Sequence, residues 1–98
     1  MTIYLVTRHL GALEWTKLAG VAFDQHVTHL SAIAALHAGD QVIGTLPIHL
    51  VCQLNRQNVR YLHLSLDLKP SERGQELSAK DMQLSGARLI EFGVTQLS

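Results

Sequence analysis

Two basic side chains follow directly on the first apolar segment of the chain. Arg8 and His9 come after Ile3–Val6 and before a predicted helix. A guanidinium is a planar, permanently charged donor suited to phosphate or carboxylate, and an imidazole can exchange a proton near neutral pH. With Thr7 and Gly11 beside them, they predict an anion-binding site that carries an acid–base group. The spacing leaves open the alternative of a surface ion pair at Arg8 and a histidine that only caps the loop.

A second segment, residues 44–49, repeats this arrangement. Gly44 would let a ligand approach the backbone, Thr45 offers a hydroxyl, and His49 lies in the first turn of the helix predicted to begin at Pro47. An ordinary strand-to-helix turn, in which Thr45 assists capping, is the alternative. No Gly-Lys-Ser or Gly-Lys-Thr follows, so the segment is not a nucleoside-triphosphate phosphate loop.

A third candidate region combines one strand face with the loop that follows it. Ser65 and Asp67 share a face with Tyr61 and His63, and Arg73 lies in the polar loop. A polar face suits an edge strand, a dimer contact or a pocket floor. We expect Ser65 and Asp67 near the pocket and the two ring side chains packed elsewhere. Arg73 is either a cation above the pocket or a solvated loop charge.

Hydrophobic patterning shows which elements must position these residues. It predicts strands at 3–6, 22–30, 41–44 and 60–68, helices at 12–18, 47–58 and 78–92, and an ambiguous segment at 31–38. The last helix has a capping-box signal in Ser78 and Asp81. Alternating strands and helices predict an α/β fold, a small three-layer Rossmann-like and mostly parallel sheet of about four strands with three helices. Ligands bind such sheets beyond the carboxyl ends of the strands, which selects the three regions above.

Length and composition narrow the classes of function. The 98 residues predict a single domain, and the formal net charge of zero argues against a protein that coats long nucleic acid. No apolar run approaches the roughly 20 residues of a membrane helix, and the N-terminus lacks a signal-peptide pattern, so we expect a cytoplasmic protein with no membrane partner. Cys52 is the one cysteine, and the six histidines lack metal-ligand spacing. We therefore expect no metal and no cofactor.

Three sequence blocks in order resemble a known family. They are residues 7–15 (TRHLGALEW), 39–50 (GDQVIGTLPIHL) and 60–68 (RYLHLSLDL). They resemble the small CRISPR-associated protein of type III systems numbered sixteen in the Csx series. The resemblance implies a CARF-like ring nuclease that binds cyclic tetra-adenylate as a homodimer. It also implies metal-free cleavage, in which a ribose 2′-hydroxyl attacks the adjacent phosphate and leaves linear products with 2′,3′-cyclic phosphate ends.

The residue types and the resemblance together suggest a role for each candidate residue. The expected catalytic residues are Arg8, His9 and Thr45, and the expected substrate-binding residues are Thr7, Gly11, Gly44, Leu46, Pro47, His49, Ser65, Asp67 and Arg73. Arg8 and the N–H groups at the two helix starts would stabilise phosphoryl charge, and His9 would move a proton. A non-catalytic sensor or sponge for cyclic oligoadenylate is the main alternative, followed by a protein-interaction role. The sequence leaves the ring size, four or six adenylates, open.

Overall fold

Strands and helices alternate along the computed structural model, which describes residues 1–72 and 74–98. The elements in chain order are β1 (Ile3–Val6), α1 (Leu10–Leu18), β2 (Gln25–Val27), β3 (Gln41–Gly44), α2 (Ile48–Arg56), β4 (Arg60–Ser65), α3 (Ala79–Leu84) and β5 (Arg88–Phe92). Two short 3-10 helices cover Leu30–Ala32 and Pro70–Glu72. None of the helices in these ranges is long and apolar enough to cross a membrane.

The strands form one sheet in the order β2-β1-β3-β4-β5. The first four are parallel to one another, and β5 runs antiparallel along β4 at one edge. The pairing of β1 with β3 places Val6 opposite Gly44, so the two strands end level with each other. The predicted mostly parallel α/β fold with three helices is confirmed, with five strands in the described residues where about four were expected.

Two apolar clusters cover the two faces of the sheet. On one face α2 packs over a cluster of buried residues from β1, β3, α2, β4 and the position just before β4: Tyr4, Val6, Val42, Val51, Leu54, Val59 and Tyr61. The other cluster joins α1, β4 and α3 through Ala12, Trp15, Leu64 and Met82. Tyr61 and Leu64 stand three positions apart on β4 and so point to opposite faces. The sheet is therefore the middle of three layers, as predicted.

The predicted capping box at the start of the last helix is present. The Ser78 hydroxyl accepts a 3.1 Å hydrogen bond from the Asp81 N–H, and the Ser78 N–H donates to the Asp81 carboxylate at 3.3 Å. This reciprocal pair satisfies two N–H groups that an uncapped helix would leave without partners.

The prediction that this helix runs to Phe92 is wrong. Gly86 adopts a φ of 74° and its N–H donates to the Gln83 carbonyl, while the Ala87 N–H donates to the Met82 carbonyl. These paired bonds around a left-handed glycine are a Schellman motif, which ends a helix. The chain then turns back as β5, which pairs with β4 from Ser65 to Tyr61. The apolar residues at 89 and 90 are compatible with a helix or a strand, and pairing with β4 makes them part of a strand.

The first two helices differ from the predicted 12–18 and 47–58 by one or two residues at their ends, and the larger boundary differences lie at strand ends. The candidate strand at 22–30 is reduced to the three residues of β2, which pairs with β1 at the sheet edge. The candidate strand at 60–68 ends at Ser65, which stands opposite Arg88, the first residue of β5. Beyond it, the Asp67 N–H donates to the Ser85 carbonyl, outside the strand ladder.

Candidate functional site

A cavity of about 600 Å³ opens at the carboxyl ends of β1 and β3. The chain leaving β1 passes through α1 to β2 on one side, and the chain leaving β3 passes through α2 to β4 on the other. Strand order therefore reverses between β1 and β3, and such a switch point is where open α/β sheets bind ligands. The cavity is lined by Val6, Thr7, Arg8, His9, Thr28, His29, Leu30, Ser31, Thr45, Leu46, Pro47 and Leu50.

Arg8 reaches across the cavity to a histidine from the neighbouring strand end. Its Nη2 lies 3.1 Å from Nδ1 of His29 and also contacts Nε2 of the same ring. The contact places a permanent cation beside an imidazole at the cavity wall. Both side chains are exposed, and no carboxylate of the described residues forms an ion pair with Arg8. The alternative of an ion pair at Arg8 therefore does not describe this arrangement.

His9 ends the same loop and is held from two sides. Its backbone carbonyl accepts the first hydrogen bonds of α1, from the Ala12 and Leu13 N–H groups, and its own N–H donates to the Thr7 hydroxyl at 3.1 Å. Its Nδ1 lies 3.2 Å from the Glu76 carboxylate. A carboxylate accepts, so Nδ1 carries a proton in this pair, and Nε2 is the nitrogen that can exchange one.

Tyr61, on β4, holds the loop that follows β3 in place. Its buried hydroxyl accepts a 2.8 Å hydrogen bond from the Leu46 N–H and lies 3.0 Å from the Gly44 carbonyl and 2.7 Å from Nδ1 of His63. Burial raises the pKa of Tyr61, and the bond from Leu46 opposes that rise only in part. The phenol is therefore neutral at physiological pH. Because the Leu46 N–H already has an acceptor, it is not available to a ligand.

The lining of the cavity is electropositive although the chain as a whole is neutral. Its ionisable side chains are Arg8, His9 and His29, and no aspartate or glutamate belongs to the described lining. Within the described ranges, no three His, Cys, Asp or Glu side chains are grouped to hold a metal ion. The arrangement suits an anion held by a guanidinium, next to imidazoles that can move protons.

The structure brings half of the predicted site residues together. Those that line the cavity are Thr7, Arg8, His9, Thr45, Leu46 and Pro47. They come from two loops about 40 residues apart in sequence that meet because β1 and β3 are neighbours in the sheet.

Both predicted glycines are close to backbone of the fold. A Cβ on Gly11 would stand 1.8 Å from the Leu77 carbonyl oxygen, and one on Gly44 would stand 2.8 Å from that of Val6. Gly11 thus lets α1 approach the segment before α3, and Gly44 lets β3 lie against β1. Neither residue belongs to the cavity lining.

The remaining predicted residues lie apart from the cavity. His49 faces a separate depression of about 320 Å³ between α2 and the C-terminal segment. Ser65 and Asp67, expected near the pocket, stand beside β5, where the Asp67 carboxylate lies 3.5 Å from Arg88. The reason is strand order, since β4 is separated from β1 by β3. Arg73 lies outside the described residues.

Sequence reasoning missed one wall of the cavity. Thr28, His29, Leu30 and Ser31 form it, directly after the last residue of β2. Because residues 22–30 were predicted to form one strand, His29 was expected within that strand and not at its carboxyl end. The rule that ligands bind beyond the carboxyl ends of strands would have found this wall if the predicted strand had ended at Val27.

The family comparison adds what geometry alone does not give. Residues 4–95 match the model of a family described as "Putative CRISPR-associated protein (Cas_VVA1548)". The chain belongs to this family. The match includes every described residue that lines the cavity. Membership in Cas_VVA1548 confirms the CRISPR association that the sequence resemblance implied. A search of the curated proteins found no match, and neither did a search of the solved structures.

Proposed function

We propose that this CRISPR-associated protein is a ring nuclease that degrades cyclic tetra-adenylate. The observation that carries the proposal is the convergence of Arg8, His9 and Thr45 on one cavity at the switch point of the sheet, in a lining with basic and no acidic side chains among the described residues. That cavity suits a phosphodiester, and the resemblance to the type III protein supplies the cyclic adenylate as the expected one.

The proposed reaction needs three things from the protein. The ribose 2′-oxygen, the phosphorus and the leaving 5′-oxygen must be held in line, and Thr45 and Thr7 offer hydroxyls at the cavity wall for this purpose. The charge that grows on the phosphoryl oxygens must be stabilised, which is the role of Arg8. The 2′-hydroxyl must lose its proton, and Nε2 of His9 accepts it. The products are linear adenylates with 2′,3′-cyclic phosphate ends.

A homodimer would match the symmetry of the substrate. The cavity volume of about 600 Å³ lies within the roughly 300–1,000 Å³ of ordinary small-molecule sites. In the proposed dimer, each copy would hold part of the ring. A two-fold axis would place a second, identical cavity against the other half. Sedimentation of the protein with cyclic tetra-adenylate should give the mass of two chains, and a single-chain mass would remove the dimer from the proposal.

The decisive experiment is a cleavage assay. Purified protein is incubated with cyclic tetra-adenylate or cyclic hexa-adenylate in the presence of EDTA, and the products are identified by mass spectrometry. We expect the four-membered ring to become linear adenylates with cyclic phosphate ends. Intact ring recovered from the denatured complex would identify a sensor or sponge instead. Calorimetry without any heat of binding would leave only the protein-interaction role.

Two variants connect the assay to the cavity. Arg8→Ala should lose activity, whereas Arg56→Ala, an exposed arginine on the last turn of α2 whose guanidinium bonds Gln96, is the matched control and should not. Equal activity of the two variants would place the reaction somewhere other than this cavity.

A further inference from the structure

We propose that the groove between α2 and β5 is a base-binding subsite, which holds an adenine of the cyclic adenylate and selects it through His63. The base groove, as we call it, is lined by Ile48 and Val51 of α2, by Tyr61 and His63 of β4, and by Phe92 and Val94 in and after β5. This inference rests on the proposed function, and it names the part of the substrate that lies beside the phosphate cavity.

Leu46 connects the base groove to the cavity. It lines both, so the two depressions share a wall. The cavity carries the guanidinium of Arg8, whereas no Asp, Glu, Lys or Arg side chain belongs to the described lining of the groove. A nucleotide has the same division, because its phosphate is charged and the faces of its base are flat and apolar. With a phosphate on Arg8, the attached base would reach the groove by passing over Leu46.

The base groove suits a single base in size and in surface. Its volume of about 230 Å³ is below the roughly 300–1,000 Å³ of sites for drug-sized ligands. Phe92 is 45% exposed, and the imidazole of His63 meets its ring edge-on, with 5.9 Å between the ring centroids. Bases bind proteins by lying against aromatic rings of this kind. A base in the groove would therefore cover apolar surface that is otherwise left in water.

Tyr61 determines which nitrogen of His63 is open to a ligand. Its hydroxyl has three neighbours, namely the Leu46 N–H, which only donates, the Gly44 carbonyl, which only accepts, and Nδ1 of His63 at 2.7 Å. A hydroxyl has one proton and two lone pairs. Its proton goes to Gly44, so Nδ1 of His63 donates to the second lone pair. Nε2 of the neutral ring is then an acceptor, and it is accessible and has no hydrogen-bond partner among the described residues.

An acceptor in an apolar groove distinguishes bases by their amino groups. Adenine carries an amino donor at position 6, where guanine carries a carbonyl acceptor. The 6-amino group would donate to Nε2 of His63 while the base lies against Phe92. A carbonyl at the same position would set two acceptors against each other, which costs binding. The groove therefore predicts a preference for adenine over bases with a 6-carbonyl.

Rings that cannot be cleaved test this preference by binding alone. Cyclic tetra-2′-deoxyadenylate and cyclic tetra-2′-deoxyinosinate lack the attacking hydroxyl, and their bases carry an amino group and a carbonyl, respectively, at position 6. By calorimetry, wild-type protein should bind the adenine ring about 10-fold or more tightly. His63→Phe should bind the two rings nearly equally, whereas His37→Phe, at an exposed position outside the groove, should keep the preference. A displaced Leu46 loop would weaken both rings alike, so an unchanged ratio in His63→Phe would overturn the inference.

Phe92 gives a second readout. Phe92→Ala should weaken binding of the adenine ring about 5- to 100-fold, the factor that stacking of a base contributes. Leu84→Ala removes an exposed apolar side chain from α3 instead and should bind like wild type. A second copy of the chain is the competing occupant. If wild-type protein without ligand sediments as two chains and Phe92→Ala as one, the groove is an interface between copies and the subsite is excluded.

The subsite and the nuclease activity can fail separately. Wild-type protein that prefers the adenine ring but leaves natural cyclic tetra-adenylate intact would overturn the nuclease and retain the subsite. Cleavage of the natural ring without any preference between the two deoxy rings would overturn only the subsite. Absence of binding to the natural ring and to both deoxy rings would overturn the two together.

Discussion

The buried hydroxyl of Tyr61 accepts a 2.8 Å hydrogen bond from the backbone N–H of Leu46. Tyr61 belongs to β4, which does not border the cavity, and Leu46 belongs to the loop that forms one of its walls. One phenol therefore fixes the position of a loop that follows the neighbouring strand. The shape of the site depends on a residue that no ligand in the cavity would touch.

Removing this hydroxyl should cost stability. In Tyr61→Phe the Leu46 N–H loses its acceptor, and an unsatisfied buried donor costs about 1–3 kcal/mol. We expect a decrease of that size in the free energy of unfolding, measured by urea denaturation, together with slower cleavage of the ring. Tyr4→Phe is the matched control, since Tyr4 is also buried in this core but its hydroxyl has no hydrogen bond within the described ranges. Equal losses in the two variants would contradict the role of the hydroxyl.

Arg8 should contribute to binding as well as to rate. Hydrogen bonds to charged groups are worth about 1.5–3 kcal/mol, so Arg8→Ala should weaken binding of the cyclic adenylate about 10- to 100-fold. Arg8→Lys keeps the charge but not the planar pair of donors, and it should recover part of the affinity. Fluorescence anisotropy with a labelled ring measures both. Unchanged affinity in Arg8→Ala would show that the phosphate lies elsewhere.

His9 should matter for rate much more than Glu76 does. His9→Ala should reduce kcat about 100- to 10,000-fold with little change in binding. The pair of His9 with Glu76 is exposed, and exposed ion pairs contribute roughly 0.2–1 kcal/mol, so Glu76→Gln should reduce kcat about fivefold or less. His37→Ala, an exposed histidine outside the cavity, is the control. Parallel losses of kcat and affinity in His9→Ala would exclude proton transfer by this residue.

Gly11 should not tolerate a side chain. Alanine in a helix gains up to about 1 kcal/mol over glycine, but here its Cβ would stand 1.8 Å from the Leu77 carbonyl oxygen, which is backbone. Overpacking typically costs about 1–3 kcal/mol, so Gly11→Ala should lower the melting temperature. Gly93→Ala has open space around the new methyl group and should melt close to wild type. A stabilised Gly11→Ala would show that α1 can move away from the α3 segment.

Asp40 should make the fold sensitive to acid. Its buried carboxylate accepts hydrogen bonds from the His37 and Thr2 N–H groups, which hold the pKa of Asp40 below its ordinary 3.8. A lowered folded-state pKa means that this stability is complete above pH 3.8 and is lost as the pH falls through the lower value. Asp40→Asn should therefore be less stable than wild type at pH 7, by urea denaturation, and the difference should shrink below pH 3.8. A difference independent of pH would contradict this origin.

The alternating elements made the layer architecture predictable, because parallel strands covered on both faces show continuous apolar runs such as Ile3–Val6. The fifth strand was not predictable in this way. Residues 88–92 are compatible with a helix or a strand until the Gly86 turn places them beside β4. Pairing with a distant partner chose the strand, and a local pattern does not contain that partner.

The residues of the candidate site could be predicted from the sequence only where the order of the strands in the sheet could be predicted. The two loops at Arg8 and Thr45 follow strands that are neighbours, so the rule on strand ends located both. The same rule placed Ser65 and Asp67 in the site only because the position of β4 in the sheet was unknown. His29 was not predicted as a site residue, because β2 is shorter than the pattern of residues 22–30 indicates. Contacts such as that of His9 with Glu76 join residues 67 positions apart, and no spacing indicates them.

The shortness of β2 has a consequence for how a ligand would come and go. This edge strand has three residues, none of them fully buried, and it pairs with β1 alone. Segments with few buried contacts are the ones that open most often in the native state. The segment from Thr28 to Ser31, which follows this strand, should therefore open more readily than the central strands, and its amide hydrogens should exchange with deuterated solvent sooner than those of β3. Opening of this short edge strand would then control how a ligand enters and leaves the pocket.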